Sequence, residues 1–315
     1  MSAVAAMPGR RSRRTLGAGL WPVLPAGIFL LLFFLLPLAE NGLQSLYLPD
    51  AAGKPVFSLD YYVRLFTDGY YLGVLFRTIW VSLLATIICI LIGYPVAYFM
   101  VRHAGRWNGV MIFLLVAPLL TSIIMRTFGW NVILARNGVL NSTLMSLGLI
   151  GRPLRLLQDP SAVIIGLVHV LVPFMVISIA AVLKGIDRRL EEAAELLGAS
   201  RWRTFREITL PLSLDGIATG AIVVFMLANG SFLTMLLLGG GSVVTLPLLI
   251  YQQFLLVQNL GFAAAMGNVL LVLAVISLFL QLRLIRRDGG PHERDRVLAQ
   301  AGAALADPVA AHIRA

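Results

Sequence analysis

The side chains best placed for chemistry in this sequence are polar residues set inside long apolar runs. Asn229-Gly230-Ser231, with Thr234 about one turn later, puts hydrogen-bonding groups beside a glycine. Polar residues in such segments are functional candidates by default. Asn229 and Ser231 are the first choices for lining a polar path, and hydrogen bonding between packed helices is the other reading. His169 lies near Pro173 with no Cys, Asp or Glu close by, which is not a metal-ligand set. A packing hydrogen bond is preferred there to a pathway role. Arg126 sits near the end of an apolar run, where it can snorkel to the interface; a role in gating or in meeting a partner is the alternative.

Covalent chemistry has few candidates. There is no H-E-x-x-H, no G-x-S-x-G and no pair of carboxylates inside an apolar run, so acid–base catalysis lacks its usual groups. A P-loop reads G-x-x-x-x-G-K followed by Ser or Thr. The sequence's one Gly-Lys pair, Gly53-Lys54, is followed by Pro55 and lacks the upstream glycine. Nucleotide chemistry, if any, belongs to another chain. The single cysteine, Cys89, lies in an apolar run; no disulfide is possible within the chain and its thiol is expected to be packing.

The polar stretch Asp187–Pro211 is more organised. Asp187 can cap a helix in which Leu190, Ala193, Ala194 and Leu197 recur at helical spacing as one apolar face. Glu191, Glu192 and Glu195 fall early, where the helix dipole favours negative charge. Gly198 can end this helix in a left-handed conformation, Ser200 can cap the next, and Pro211 closes the loop. The small residues on the contact face permit a close approach by a partner.

The elements that position these residues are membrane spans. The chain of 315 residues is 59% hydrophobic and 13% charged, with a mean hydropathy of +0.88, too apolar for a soluble domain. Six runs are long enough to cross a bilayer as helices: Leu20–Ala39, Thr78–Val101, Val110–Trp130, Ala162–Leu183, Leu212–Leu238 and Phe262–Leu284. The first follows Arg10, Arg11, Arg13 and Arg14, and Ser12-Arg13-Arg14-Thr15-Leu16 loosely resembles a twin-arginine signal. Its apolar run is longer than a signal-peptide core and five spans follow, so it is read as an uncleaved helix. Gly216-Ile217-Ala218-Thr219-Gly220 suits close helix packing, and Trp21, Trp80 and Trp130 suit interface belts.

Charge sets the orientation. A net charge of +10 in a soluble protein suggests nucleic acid, but here the basic residues flank the spans. The side holding both termini and the loop 184–211 carries 18 Lys and Arg against 7 on the other. Both termini and the loop are therefore expected to be cytoplasmic. The reading gives a basic cytoplasmic tail at 1–19, a six-helix all-α membrane domain at 20–286, and a tail at 287–315 expected to be a disordered cytoplasmic extension.

Glu192-Ala193-Ala194, then Gly198, Ile208 and Leu210-Pro211, resembles the EAA motif of binding-protein-dependent ABC permeases at every signature position. The resemblance implies that the short helix between spans four and five is a coupling helix fitting a groove on a separate ATPase, with Glu192 meeting a basic group there and Gly198 forming the turn. It implies ABC ATPase subunits that hold the ATP and Mg, a second homologous permease chain, a periplasmic or extracellular solute-binding protein, surrounding lipid, and a bacterial inner-membrane location. Ser58-Leu59-Asp60-Tyr61-Tyr62, Gly93-Tyr94-Pro95-Val96-Ala97-Tyr98, Arg126-Thr127-Phe128-Gly129-Trp130 with Asn137-Gly138-Val139-Leu140-Asn141, and Leu236–Gly241 are similar to segments of spermidine/putrescine-type permeases. That branch also includes relatives for opines, amino-acid-like compounds, phosphonates and iron.

Rival readings explain less. Ala193–Ser200 also resembles the first helix and turn of a DNA-binding helix-turn-helix, but a recognition helix needs free access to a major groove. This segment is tethered to spans at both ends, so no nucleic-acid partner is expected. An ion-coupled secondary transporter usually has broken helices and intramembrane ionisable groups, and leaves the EAA match unexplained.

Overall fold

The computed structural model describes residues 24–49 and 54–288; the basic segment at 1–19 and the tail beyond 288 lie outside the described residues. The chain is built almost wholly of helices. Among the described residues, four helices are long and apolar enough to cross a membrane, or six if each of two bent pairs is one span.

Helix α1, Leu24–Gln44, carries a π-helical turn at Leu31–Leu35 and buries nothing of its apolar stretch within the chain. It continues past the expected end at Ala39 because its polar last turn has partners: Asn41 Nδ2 donates to Asn268 Oδ1 at 3.0 Å. Strands β1, Tyr47–Pro49, and β2, Pro55–Phe57, pair antiparallel with Leu48 opposite Val56, a small sheet that the all-α reading omits. Helix α2, Asp60–Thr67, leads into α3, Gly69–Arg102. Asp68 caps α3 by accepting from the Tyr70 N–H at 2.8 Å, so the helix starts nine residues before the expected span. At a rise of 1.5 Å per residue its 34 residues run for about 50 Å.

The third expected span is not one helix. Helix α4, Asn108–Leu120, and α5, Ile123–Leu134, belong to a pair bent by 99°. Thr121 and Ser122 are extended, with ψ of 146° and 137°. Pro118 contributes no N–H, and its carbonyl is taken by Thr121 Oγ1 at 2.8 Å and Arg126 Nη1 at 2.5 Å. Helix α6, Val139–Ser146, follows. Helix α7, Pro160–Gly185, matches the fourth expected span; Asp159 caps it and Pro160 opens it.

After the short helix α8, Arg188–Leu196, the chain forms α9, Arg201–Leu212, bent by 59° against α10, Leu214–Asn229. Pro211 therefore lies in the last turn of a helix and does not close a loop. The fifth expected span, Leu212–Leu238, breaks at Ser213 and again between Asn229 and α11, Leu233–Gly239. Helix α12, Leu246–Leu255, and α13, Leu260–Asp288, are the last of the described elements, and α13 contains the sixth expected span.

The main core lies where α3, α7 and α10 pack, around Ala85, Cys89, Leu167, Met175, Ile179 and Val224. Glycines set the approach: a Cβ on Gly216 would stand 3.1 Å from the Ile179 backbone, and one on Gly220 would stand 2.7 Å from Met175 Sδ. The Gly-x-x-x-Gly pattern thus seats α10 on α7 within this chain. A second cluster, with Tyr61, Leu65, Tyr71, Leu246 and Phe262, gathers near the other end of α3.

Candidate functional site

Helix α8 is held by its ends. Asp187 Oδ1 accepts from the Arg189 N–H at 3.0 Å, as its N-cap position requires. At the C-terminus the Leu197 and Ala199 N–H groups return to Ala193 O and Ala194 O, and Gly198 takes φ +86°. Nothing stands within 4 Å of a Cβ built there, so backbone conformation and not space calls for glycine. Ser200 Oγ then caps α9 by accepting from the Arg203 N–H at 3.3 Å.

The two faces of α8 differ. Leu190 and Ala193 are exposed, and Leu196 and Leu197 are 89% and 90% exposed, an unusual placement for adjacent leucines at a helix end. Ala194 is half-buried. Glu192 is exposed and meets Arg188 across one turn at 3.6 Å, a pair of little energetic weight. Ile208 and Leu210 are half-buried in or beside the π-helical turn Phe205–Thr209 of α9, with Leu210 against the main core, and Pro211 is exposed.

Sequence reasoning missed Glu191, the carboxylate on the inner face. Arg102, at the last turn of α3, donates to Glu191 Oε1 from Nε at 3.2 Å and Nη2 at 2.9 Å. Thr209 Oγ1 donates to the same oxygen at 2.9 Å, and Arg102 Nη2 also reaches Ile186 O at 3.3 Å. A polar cavity of about 310 Å³ lies behind α8, lined in part by Tyr98, Arg102, His103, Glu191 and Arg201. Leu196 also escaped notice; its adjacency to Leu197 was the available signal.

The polar residues of the spans do not form one group. Arg126, Ser231 and Thr234 line a cavity of about 360 Å³ together with Ile123, Phe174 and Leu227. Arg126 turns inward on Pro118 O, and its Nε has no partner, which replaces the expected snorkelling. Asn229 is 3% exposed with its Oδ1 unpartnered, and it is not among the residues lining that cavity. His169 Nδ1 accepts from Trp130 Nε1 at 3.1 Å, a packing bond that also takes Trp130's N–H from the interface role expected for it. Among the described residues, no group of three or more His, Cys, Asp or Glu could hold a metal.

The opposite end carries a polar knot absent from the sequence reading. Asn268 Nδ2 donates to Ser45 Oγ and Tyr62 OH, each at 3.0 Å, so α13 holds α1 and α2 together. An open groove of about 1020 Å³ lies beside it, with Glu40, Tyr61, Arg64 and Gln258 among its lining residues.

A membrane chain of bent and broken helices, with a capped helix presenting leucines at one end, is matched across residues 22–287 by the family of binding-protein-dependent transport system inner membrane components. The chain belongs to that family. It is a transport component and not an enzyme. The spermidine/putrescine transport system permease protein PotB of Escherichia coli (strain K12) is 37% identical over 260 residues, covering 82% of this chain and 94% of that one. PotB of Haemophilus influenzae is 36% identical over 226 residues, 72% of this chain and 79% of that one. A chain of the bacterial alginate ABC transporter, solved in complex with an alginate pentasaccharide-bound periplasmic protein, superposes with a TM-score of 0.72 at 20% identity, covering 86% of this chain and 97% of that chain. At that identity the likeness speaks for the fold alone.

Proposed function

We propose that this chain is the permease subunit of an ABC importer that carries a polyamine-like organic cation into the cytoplasm by alternating access, powered by an ATPase on a separate chain that docks at α8. The observation that carries the coupling role is the exposed edge Leu190, Ala193, Leu196 and Leu197, ended by the left-handed turn at Gly198. Such an edge is suited to a groove on a partner. The cargo reading rests on the 37% identity to a spermidine/putrescine permease over most of both chains.

In this reading each bent pair is one span, giving six, and the 18-to-7 split of Lys and Arg supports a cytoplasmic side for both termini and α8. A second permease chain completes the path, a solute-binding protein delivers the cargo outside, and ATP and Mg belong to the ATPase. Arg126, Ser231 and Thr234 are candidate path residues, with Asn229 and His169 supporting the packing around them.

One observation favours another cargo in the same branch. The cavity beside Arg126 has a cation and no carboxylate among its lining residues, which suits an anionic group such as that of an opine, an amino-acid-like compound or a phosphonate. Uptake into proteoliposomes holding the assembled complex separates the two. ATP-dependent uptake of spermidine, retained in Arg126→Gln, supports the cation reading. Phosphonate uptake without spermidine uptake, lost about tenfold in Arg126→Gln, supports the second. The double variant Glu192→Ala with Gly198→Pro is expected to abolish uptake of either, because proline is excluded from positive φ; wild-type uptake in that variant contradicts α8 as the coupling element.

A further inference from the structure

We propose that the Arg102–Glu191 pair is the joint through which α8 moves α3, making α3 a lever between the docked ATPase and the opposite end of the molecule. This rests on α8 being the ATPase dock and goes beyond it, by naming which helix takes up the motion and through which side chains.

The pair differs from the two ion pairs that lie within single helices. Arg188–Glu192 and Arg203–Glu207 each span one helical turn and are more than half exposed, whereas the Arg102 and Glu191 side chains are 8% and 13% exposed and lie 2.9 Å apart. Exposed pairs contribute little; removing one member of a shielded pair leaves an uncompensated charge and is strongly destabilising. The contact is also a junction. Glu191 comes from the first turn of α8, Arg102 from the last turn of α3, Thr209 from the π-helical turn of α9, and Ile186 from the C-cap of α7. A displacement of α8 cannot leave Arg102 behind without breaking several hydrogen bonds at once. Leu196 and Leu197, on the other side of the same short helix, stay free to meet a partner.

The far end of α3 is tied in the same manner. Thr78 Oγ1 accepts from the buried Leu246 N–H at 2.8 Å, at the first residue of α12, while donating to Val74 O at 2.7 Å. Arg77 Nη1 donates to Val244 O at 3.4 Å. Between Thr78 and Arg102 the helix is unbroken through Pro95, a rod of about 36 Å at the usual helical rise. Part-way along it, Tyr94 OH and Ser213 Oγ are 2.8 Å apart, at the bend where α9 meets α10. One continuous helix thus contacts the α8 junction, the bend between α9 and α10 and the start of α12, which is a physical route for coupling between two ends.

The test uses the complete complex and needs no cargo. A cysteine is introduced by Leu255→Cys on the exposed side of α12, and the native Cys89 is buried. Maleimide labelling of this chain is timed with and without ATP and vanadate, alongside ATPase co-purification and basal ATP hydrolysis. The ATP-dependent change in labelling rate is expected to fall about tenfold in R102M and in E191Q, a coupling loss of ordinary size, while ATPase binding and basal hydrolysis persist. The double variant R102M/E191Q is expected to be no worse than either single one, because both remove the same contact. An undiminished ATP response in the single variants, or no ATP response in the wild-type background, overturns the proposal. If the single variants fail to assemble, the double variant decides, since it buries no unpaired charge. Assembled and uncoupled, it supports the joint; assembled and coupled, or unassembled, it overturns it. Failure of the wild-type chain to co-purify with the ATPase is a different result, and contradicts the docking reading itself.

Discussion

A single carboxylate oxygen on Glu191 receives Arg102 and Thr209 while its neighbour Glu192 faces solvent, so two adjacent acids with the same local sequence have opposite roles. Helical spacing separates their faces but does not say which face is inside. Arg102 is 89 positions away in the chain, and no local pattern joins it to Glu191. The caps were legible for the converse reason. Asp187, Gly198 and Ser200 act on backbone groups within three residues of themselves, and each does what its type and position foretell. Asp159 is a cap of the same kind. Its carboxylate accepts from the Ser161 N–H at 2.9 Å and the Ser161 hydroxyl at 2.7 Å, and these bonds, the backbone one foremost, hold its pKa below the ordinary 3.8. The charged form is favoured in the folded chain, so the cap's contribution is present above the unfolded value and is lost as pH falls from 3.8 through the lower folded value. Thermal melting in detergent across that range is expected to lose less for Asp159→Asn, which keeps an acceptor without titrating, than for wild type; equal acid sensitivity contradicts the assignment.

At the scale of elements, each apolar run read from hydropathy falls on helices among the described residues, but hydropathy missed how three of them are made. The apolar runs at Val110–Trp130 and Leu212–Leu238 contain a Pro, a Ser or a Gly whose effect is confined to one or two residues, and a window of about 20 residues averages over such breaks. The 99° and 59° bends follow from local hydrogen bonding at Pro118 and Ser213. The extension of α1 to Gln44 depends on Asn268, far along the chain. Close packing of α10 on α7 was legible in its glycines. Gly216→Val puts carbon against the Ile179 backbone and is expected to destabilise the chain by about 1–3 kcal/mol, read as a lowered melting temperature in detergent. An unchanged melting temperature contradicts that close approach.

The whole molecule leaves much of its apolar surface open. Helix α1 buries none of its hydrophobic stretch, and residues such as Phe29, Phe33, Leu91, Val272 and Phe279 are exposed, as befits an inner-membrane chain with lipid around its helices. Leucines exposed at Leu196 and Leu197 stand apart from these, since they belong to a charged helix outside the apolar spans. That contrast supports the docking of an ATPase at α8, the centre of the account. Its most direct test is a cross-link from Leu197→Cys in the assembled, transporting complex, with Val272→Cys on α13 as the control. A covalent adduct between this chain and the ATPase at position 197, absent at 272, is the result the account predicts. An active complex with no adduct at 197, or with equal adducts at both positions, contradicts it.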